Sequence, residues 1–329
     1  MPDQLLFAME VALNGLMAGV MYALVALGFV LIFKASGIFN YAQGVMALFA
    51  AMTVVGIQKG QVPFAHLINA IFGTHIHYFG WNVPALGAIL LTVIVMGLFA
   101  WVVNKLVLKH LVNQEPIILF MATIGLAYFL EGVADLMWGA DIKKLDVGLP
   151  QGINGYIDET TFNLFGYGFF IDNLDITASV IAAILVTALV LFSQYTKQGR
   201  ALRAVADDHQ AALSVGISLN FIWVLVWTIA GCVALVAGMM WGAKSGVQFS
   251  LSLIALKALP VLMLGGFTSI PGAIVGGLII GVGEQLFEFA IGAPYLGGAT
   301  QNWFAYVLAL LFLVFRPQGL FGEKIIERV

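Results

Sequence analysis

Residues Val11 to Phe33 read V-A-L-N-G-L-M-A-G-V-M-Y-A-L-V-A-L-G-F-V-L-I-F, and no charge interrupts them before Lys34. About 20 consecutive apolar residues are what an α-helix needs to cross the hydrocarbon core of a bilayer. No water inside that core can satisfy a bare backbone, so the segment must make its own hydrogen bonds, as a helix does. The run predicts a membrane helix.

The rest of the chain agrees. Of its 329 residues, 61% are hydrophobic and 9% charged, and the mean hydropathy is +1.01. A soluble domain carries about 25% charged residues, so the excess apolar surface must face lipid. The length allows eight to ten spans at about 20 residues each, plus loops. The expected fold class is an all-α polytopic bundle of about 8–10 transmembrane helices, forming a single transmembrane domain over residues 1–329. A formal net charge of −3 gives no reason to expect nucleic acid. Cys232 is the only cysteine, which excludes an intrachain disulfide and a cysteine metal cluster. The start M-P-D-Q-L-L-F-A-M-E lacks the basic stretch of a cleavable signal peptide, so the first membrane segment is expected to direct insertion.

Further apolar segments follow at about 37–57, 83–104, 117–138, 174–195, 221–243 and 270–291, with shorter ones at 253–267 and 302–315. The break before the second segment is short enough for a tight helical hairpin. Residues 58–82 hold apolar pieces too short to span. The longest polar region, 140–172, alternates around Thr161 to Ile171 in a way that suggests a small β-hairpin or lid. With the N-terminus outside, nine spans place Lys34, Lys105, Lys109, Lys197, Arg200, Arg203, Arg316, Lys324 and Arg328 in the cytoplasm. Only Lys59, Lys143, Lys144 and Lys244 are then left outside, and Lys257 falls within a span. That positive-inside bias orients the chain N-terminus outside and C-terminus inside, with 140–172 extracytoplasmic.

The densest charge lies between two apolar runs, from Lys197 to Asn220: K-Q-G-R-A-L-R-A-V-A-D-D-H-Q-A-A-L-S-V-G-I-S-L-N. Gly199 is expected to turn the chain. From Arg200 the pattern is helical, with Leu202, Val205, Ala206, His209 and Leu213 on one stripe and Arg203 and Asp207 beside it. The many alanines keep this helix slim, and Gly216 stops it. Such a helix suits either a groove on a soluble partner or the lipid headgroups. The orientation places it in the cytoplasm.

No Gly-Lys-Ser/Thr occurs, hence no Walker A loop, and no cofactor is expected in this chain. His75 and His77 are one residue apart, a poor metal-ligand spacing on a helix. Carboxylates inside spans are costly and need a partner or water. Glu131 and Asp135, and again Glu284 and Glu288, are four apart and share a helix face. The expectation is that Lys257 pairs with Glu284 or Glu288 and that the other acids line a water-filled outer vestibule; a buried structural ion pair is the plainer reading. Gly265-Gly266 between Pro260 and Pro271 marks an interrupted helix, of the kind that lines substrate paths. Gly272, Gly276-Gly277 and Gly281 permit close helix approach. Asn14, Asn40 and Gln43 either line a pore or stitch helices together.

Several of these stretches together resemble one family, the membrane permeases of ABC importers for branched-chain amino acids, of the LivH type. They are N-G-L-x-x-G-x-x-Y-A-L-x-A-L-G (Asn14 to Gly28), N-Y-A-Q-G (Asn40 to Gly44), G-R-A-L-R-A-V-A-D-D-x-x-A-A-L-S-V-G-I (Gly199 to Ile217), L-G-G-F-T-S-I-P-G-A-I-V-G-G (Leu264 to Gly277) and R-P-Q-G-L-F-G (Arg316 to Gly322). The resemblance implies a bundle with two similar halves in a bacterial inner membrane. It also implies a homologous second permease, two ATPase subunits that hold ATP and Mg, and an extracytoplasmic substrate-binding protein. In such importers a cytoplasmic coupling helix with the pattern E-A-A-x-x-x-G docks on the ATPase. Here Gln210-Ala211-Ala212-x-x-x-Gly216 has that spacing within 197–218, with glutamine in place of the acid. Val45 likewise stands where the family often has an acid. By this likeness Arg200, Arg203, Asp207, Gln210, Ala211, Ala212 and Gly216 serve coupling. Asn14, Asn40, Gln43, Glu131, Lys257, Gly265, Gly266, Glu284 and Glu288 are the candidate path residues. Two other functions fit the residues: an ion-coupled secondary transporter using Glu131, Glu284 and Glu288, or a passive channel for a small neutral solute such as urea.

Overall fold

The computed structural model describes residues 2–111, 114–150, 159–164, 167–207 and 209–322. Six helices among them are long and apolar enough to cross a membrane: Gln4–Ser36, Ala85–His110, Pro116–Trp138, Asn173–Tyr195, Leu219–Ser245 and Ile270–Leu296. Three shorter apolar helices, Gln43–Gln58, Phe249–Gly265 and Gln301–Phe315, match the remaining apolar segments of the sequence. The architecture is that of a polytopic helical membrane protein.

In chain order the helices are α1 (Pro2–Ser36), α2 (Gln43–Gln58), α3 (Ala65–Phe72), α4 (Ala85–Leu106), α5 (Pro116–Trp138), α6 (Asn173–Tyr195), α7 (Lys197–Asp207), α8 (His209–Ser214), α9 (Leu219–Ser245), α10 (Ile254–Gly265), α11 (Ile270–Phe287), α12 (Ala293–Leu296) and α13 (Gln301–Phe315). Strands β1 (Glu159–Leu164) and β2 (Tyr167–Asp172) pair antiparallel, Glu159 opposite Asp172 and Leu164 opposite Tyr167. This is the hairpin that the alternation around Thr161 to Ile171 suggested. The chain divides into two compact units, 1–30 with 150–190 and 255–329, and 31–149 with 191–254.

In the second unit α2 is the core. Every residue from Gln43 to Gly56 is buried, by α4, α5, α9 and the 3₁₀ turn Phe249–Leu253. A helix apolar on all sides belongs inside a bundle. The second apolar segment, expected as a span from Gly37, becomes helical only at Gln43. Gly37 adopts φ +66° just after α1 ends, and Asn40 holds the following turn. The 16 residues of α2 cover about 24 Å, short of a full crossing. Trp138, at the end of α5, is 2% exposed and donates its indole N–H to Thr53 Oγ1 on α2 at 3.2 Å.

In the first unit α1 crosses α11 backbone against backbone. A Cβ built on Gly15 would lie 2.7 Å from the Gly281 carbonyl oxygen, and one on Gly277 would lie 2.6 Å from that of Gly19. Glycines four apart on both helices thus leave the shallow surfaces that let two membrane helices touch. Glu10, nearly buried, accepts the Phe170 N–H of β2 at 3.2 Å. The C-terminal R-P-Q-G-L-F-G folds back on the turn between α10 and α11: Leu320 N–H donates to Leu264 O at 2.8 Å and Phe321 N–H to Gly265 O at 3.1 Å.

Candidate functional site

The polar stretch after α6 is helical from Lys197, two residues before the glycine expected to turn it. The signal missed in the sequence is Thr196. Its Oγ1 accepts the Gly199 N–H at 2.9 Å, an N-cap bond that starts α7. Gly199 lies inside the helix and is buried. A Cβ there would come 2.6 Å from Ser193 Cα, so this glycine serves a close approach of α7 to the end of α6. Gly199, Leu202 and Val205 form the buried side of α7. Arg200, Arg203, Asp207, Gln210 and Ala211 are exposed.

The far end follows the expectation at Gly216 and departs from it on either side. Gly216 has φ +83°; its N–H donates to Leu213 O at 3.0 Å and the Ile217 N–H to Ala212 O at 3.0 Å. Those two bonds are a Schellman stop. Ala212 is 2% exposed and faces its own chain, whereas Leu213 is 53% and Val215 74% exposed. The expected stripe carried Leu213 inward. The observed one is closed by Ala212. Two bare apolar side chains beside a rigid, glycine-capped turn are therefore what this element presents outward.

Lys257 and Glu284 meet as the sequence predicted. Lys257 Nζ lies 3.0 Å from Glu284 Oε1, and Glu284 is wholly buried. A third residue, not named among the candidates, completes the cluster: the Tyr22 hydroxyl donates to Glu284 Oε2 at 3.0 Å, and its ring lies 5.4 Å from the Lys257 ammonium. The same motif, Asn14 to Gly28, supplies Gly15 and Gly19 for the helix crossing and Tyr22 three residues on. The crossing thus sets the register that brings this hydroxyl to α11.

Glu288 does something else. Its carboxylate accepts the N–H groups of Ala299 at 2.9 Å and Thr300 at 2.8 Å, along with the Thr300 hydroxyl. It closes the loop that enters α13 and takes no part in the lysine pair. Glu131 is half-buried on α5 and has no bonded partner among the described residues.

Other candidates for the path are bonded or packed against neighbouring backbone. Asn40 Oδ1 accepts the Ala42 N–H at 3.2 Å, its Nδ2 donates to Gln43 Oε1 at 3.4 Å, and Gln43 Nε2 donates to Ala230 O on α9 at 3.3 Å. Both side chains are buried, 0% and 1% exposed, and they stitch α2 to α9. Gly265 lies against the Gly272 backbone. Gly266, at φ +102°, lies against Gly322, where a Cβ would come 2.8 Å from the amide nitrogen. Both are filled by backbone and offer no open wall. Asn14 is half-buried on α1, one residue before the crossing. Lys143 is buried, with its backbone bridged to Val247, while Lys144 beside it is exposed.

Among the described residues, a polytopic helical membrane protein thus carries a buried ion-paired cluster in its first unit and a glycine-capped, exposed helical turn in its second. The family model for the permease component of branched-chain amino acid transport systems matches residues 11–316, and the chain belongs to that family. It is 28% identical over its full length, and the relative's, to the high-affinity branched-chain amino acid transport system permease protein LivH of Salmonella typhimurium. It is 29% identical to BraD, the permease protein of such a system in Pseudomonas aeruginosa, over 96% of each chain. A fructose import permease protein of Rhizobium meliloti, FrcC, is 25% identical over 80% of this chain and 71% of its own.

Proposed function

We propose that this chain is the membrane-spanning subunit of an ATP-driven importer and that it carries a branched-chain or other hydrophobic amino acid. The observation that carries this reading is full-length likeness to permeases named for high-affinity branched-chain amino acid transport. The fructose permease covers less of the chain, which favours an amino acid over a sugar.

The mode of drive rests on α7 and α8. Leu213 and Val215 offer a small apolar surface beside the glycine-capped stop, with Gln210 and Ala211 also exposed, suited to a groove on an ATPase subunit. The reading supplies hydrolysis, ATP and Mg on two such subunits. It pairs this chain with a homologous second permease and places an extracytoplasmic binding protein against the 140–172 side, with the N-terminus outside. ATP binding in the partner then shifts the populations of inward- and outward-open states through α7 and α8. Glu284 and Glu288 are already committed, to Lys257 and to the loop before α13, which speaks against their carrying a coupling ion.

The test is reconstitution of the chain with the proteins that co-purify with it. An ATPase and a second permease in the complex, with ATP-dependent accumulation of L-leucine in vesicles, are the expected result. Leu213→Asp with Val215→Asp should release the ATPase and leave the thermal midpoint of the permease where it was. Accumulation driven by an ion gradient without ATP, or equilibration with no accumulation, would overturn the reading.

A further inference from the structure

Lys257 sits deep in the membrane with most of its hydrogen-bonding capacity unspent. Its partner Glu284 is 14 residues from one end of the span Ile270–Leu296 and 12 from the other. At 1.5 Å per residue that is roughly 18–21 Å of helix on either side, against about 15 Å for half the hydrocarbon thickness. The ammonium lies 3.0 Å from that carboxylate, inside the span. It has three N–H donors and makes one hydrogen bond among the described residues, to Glu284 Oε1. The Tyr22 ring covers a second side. The side chain is nevertheless 24% exposed, whereas Glu284 is 0% exposed. A bare ammonium at this depth is not tolerated against lipid; it must face water or an anionic group.

The polarity of the cluster is one-sided. Both Glu284 oxygens are taken, by Lys257 and by Tyr22, so the acid fixes the lysine and presents nothing outward. Only the cation has an open side. Lysine and glutamate together are neutral, and the buried Asp175 of α6 lies close enough to act on Tyr22, so the cluster attracts no net anion from afar but offers donors to a carboxylate brought against it. A neutral amino acid in its zwitterionic form has such a carboxylate.

We propose that Lys257 is the contact for the α-carboxylate of the transported amino acid, with Glu284 and Tyr22 as positioning residues that hold its ammonium in place. The assignment rests on the importer reading above and adds to it the atom by which the path reads its substrate.

The test uses the whole reconstituted transporter and L-leucine. Removing Lys257 alone would strand a buried carboxylate, so the charge is removed as a pair, K257Q with E284Q, and inverted as a pair, K257E with E284K. Lys257→Arg retains the cation. All three should assemble with the ATPase. Only the arginine variant should import leucine within a fewfold of the wild type, the two paired variants losing tenfold or more. A plain structural ion pair predicts the opposite for the inverted pair, which would restore it. A second measurement needs no variant: acetylation of Lys257 in the wild-type transporter, read by mass spectrometry, should slow with saturating L-leucine. L-leucinol, which keeps the side chain and ammonium but lacks the carboxylate, should not slow it. Import by either paired variant within twofold of the wild type, or equal protection by leucine and leucinol, would overturn the assignment while leaving the importer reading intact. A wild-type chain that imports no leucine would instead remove the reading on which it rests.

Discussion

Gly281→Ala adds one methyl group to α11 at the point where it crosses α1. The new Cβ would lie 2.5 Å from Gly19 Cα, against 3.4–4 Å for ordinary van der Waals contact. Its neighbours there are backbone atoms, which cannot swing aside, so the helices must part by about 1 Å. Overpacking of this kind costs about 1–3 kcal/mol. The displacement does not stop there. Glu284 is three residues further along α11 and Tyr22 three residues beyond Gly19, and their hydrogen bond is 3.0 Å long. An added ångström takes it out of bonding range. Disturbing a buried charged group raises the cost toward the 3–5 kcal/mol of a broken buried pair. At about 2–4 °C per kcal/mol, the thermal midpoint should fall by roughly 5–15 °C. The assay is the fraction of detergent-purified protein that stays monodisperse after heating. Gly283→Ala is the internal control: its Cβ would meet only side-chain atoms, Phe304 Cε1 at 3.3 Å and Leu308 Cδ2 at 3.4 Å. That variant should melt within about 2 °C of the wild type. A Gly281→Ala protein that melts with the wild type, or a Gly283→Ala protein that melts as low as Gly281→Ala, would refute the crossing as the origin of the glycine requirement.

Two further outcomes follow from the ends of the polar stretches. Gly216→Val forces a β-branched residue to φ +83°, at a cost of about 1–2 kcal/mol, so the Schellman stop should fray. Co-purification of the ATPase should weaken while the melting of the bundle changes little; an undiminished complex would return α8 to an ordinary loop helix. Lys143 lies outside the spans, and burial holds its ammonium below the ordinary lysine value of 10.5, with Asp141 pulling the other way. The folded chain thus gives up this proton before the unfolded chain does. Between the two values the unfolded state binds more protons, so stability rises as the pH is raised toward 10.5. Thermal midpoints across an alkaline series should show that rise in the wild type and lose it in Lys143→Met; an identical slope in both would place its origin elsewhere.

How far the sequence could be read depended on what kind of contact each residue makes. Membrane helices announced themselves because hydrocarbon imposes one requirement on every residue of a span, and the run from Val11 to Phe33 meets it throughout. The pairing of Lys257 was legible for a related reason: a lone cation in a span needs an anion, and few are available. Which acid it takes was not, because Glu284 and Glu288 share a helix face and differ only in what lies beside them. Tyr22 was hidden in its motif, since a tyrosine in an apolar run carries no sign of where its hydroxyl goes. Thr196 was overlooked beside the more obvious Gly199. Asn40, Gln43, Gly265 and Gly266 went the other way: polar groups and glycines inside a membrane protein look like a path, yet here they are filled by backbone and by one another.

Those reversals bear on what the family pattern means. In Asn14 to Gly28, Gly15 and Gly19 meet the α11 backbone and Tyr22 meets Glu284; in Leu264 to Gly277, Gly265 lies against Gly272, and Leu264 and Gly265 accept the N–H groups of the tail Arg316 to Gly322. In Gly199 to Ile217, Gly199 seats α7 and Gly216 ends α8. These motifs constrain where helices touch and where they stop. A pattern fixed by backbone contact is indifferent to cargo. Whatever distinguishes one cargo from another must lie in the few side chains that packing leaves open, and among the charged groups of the first unit's spans Lys257 is the one with donors to spare. Exchanging the glycines should therefore cost assembly for any substrate, whereas exchanging Lys257 and Glu284 as a pair should cost leucine and keep the fold.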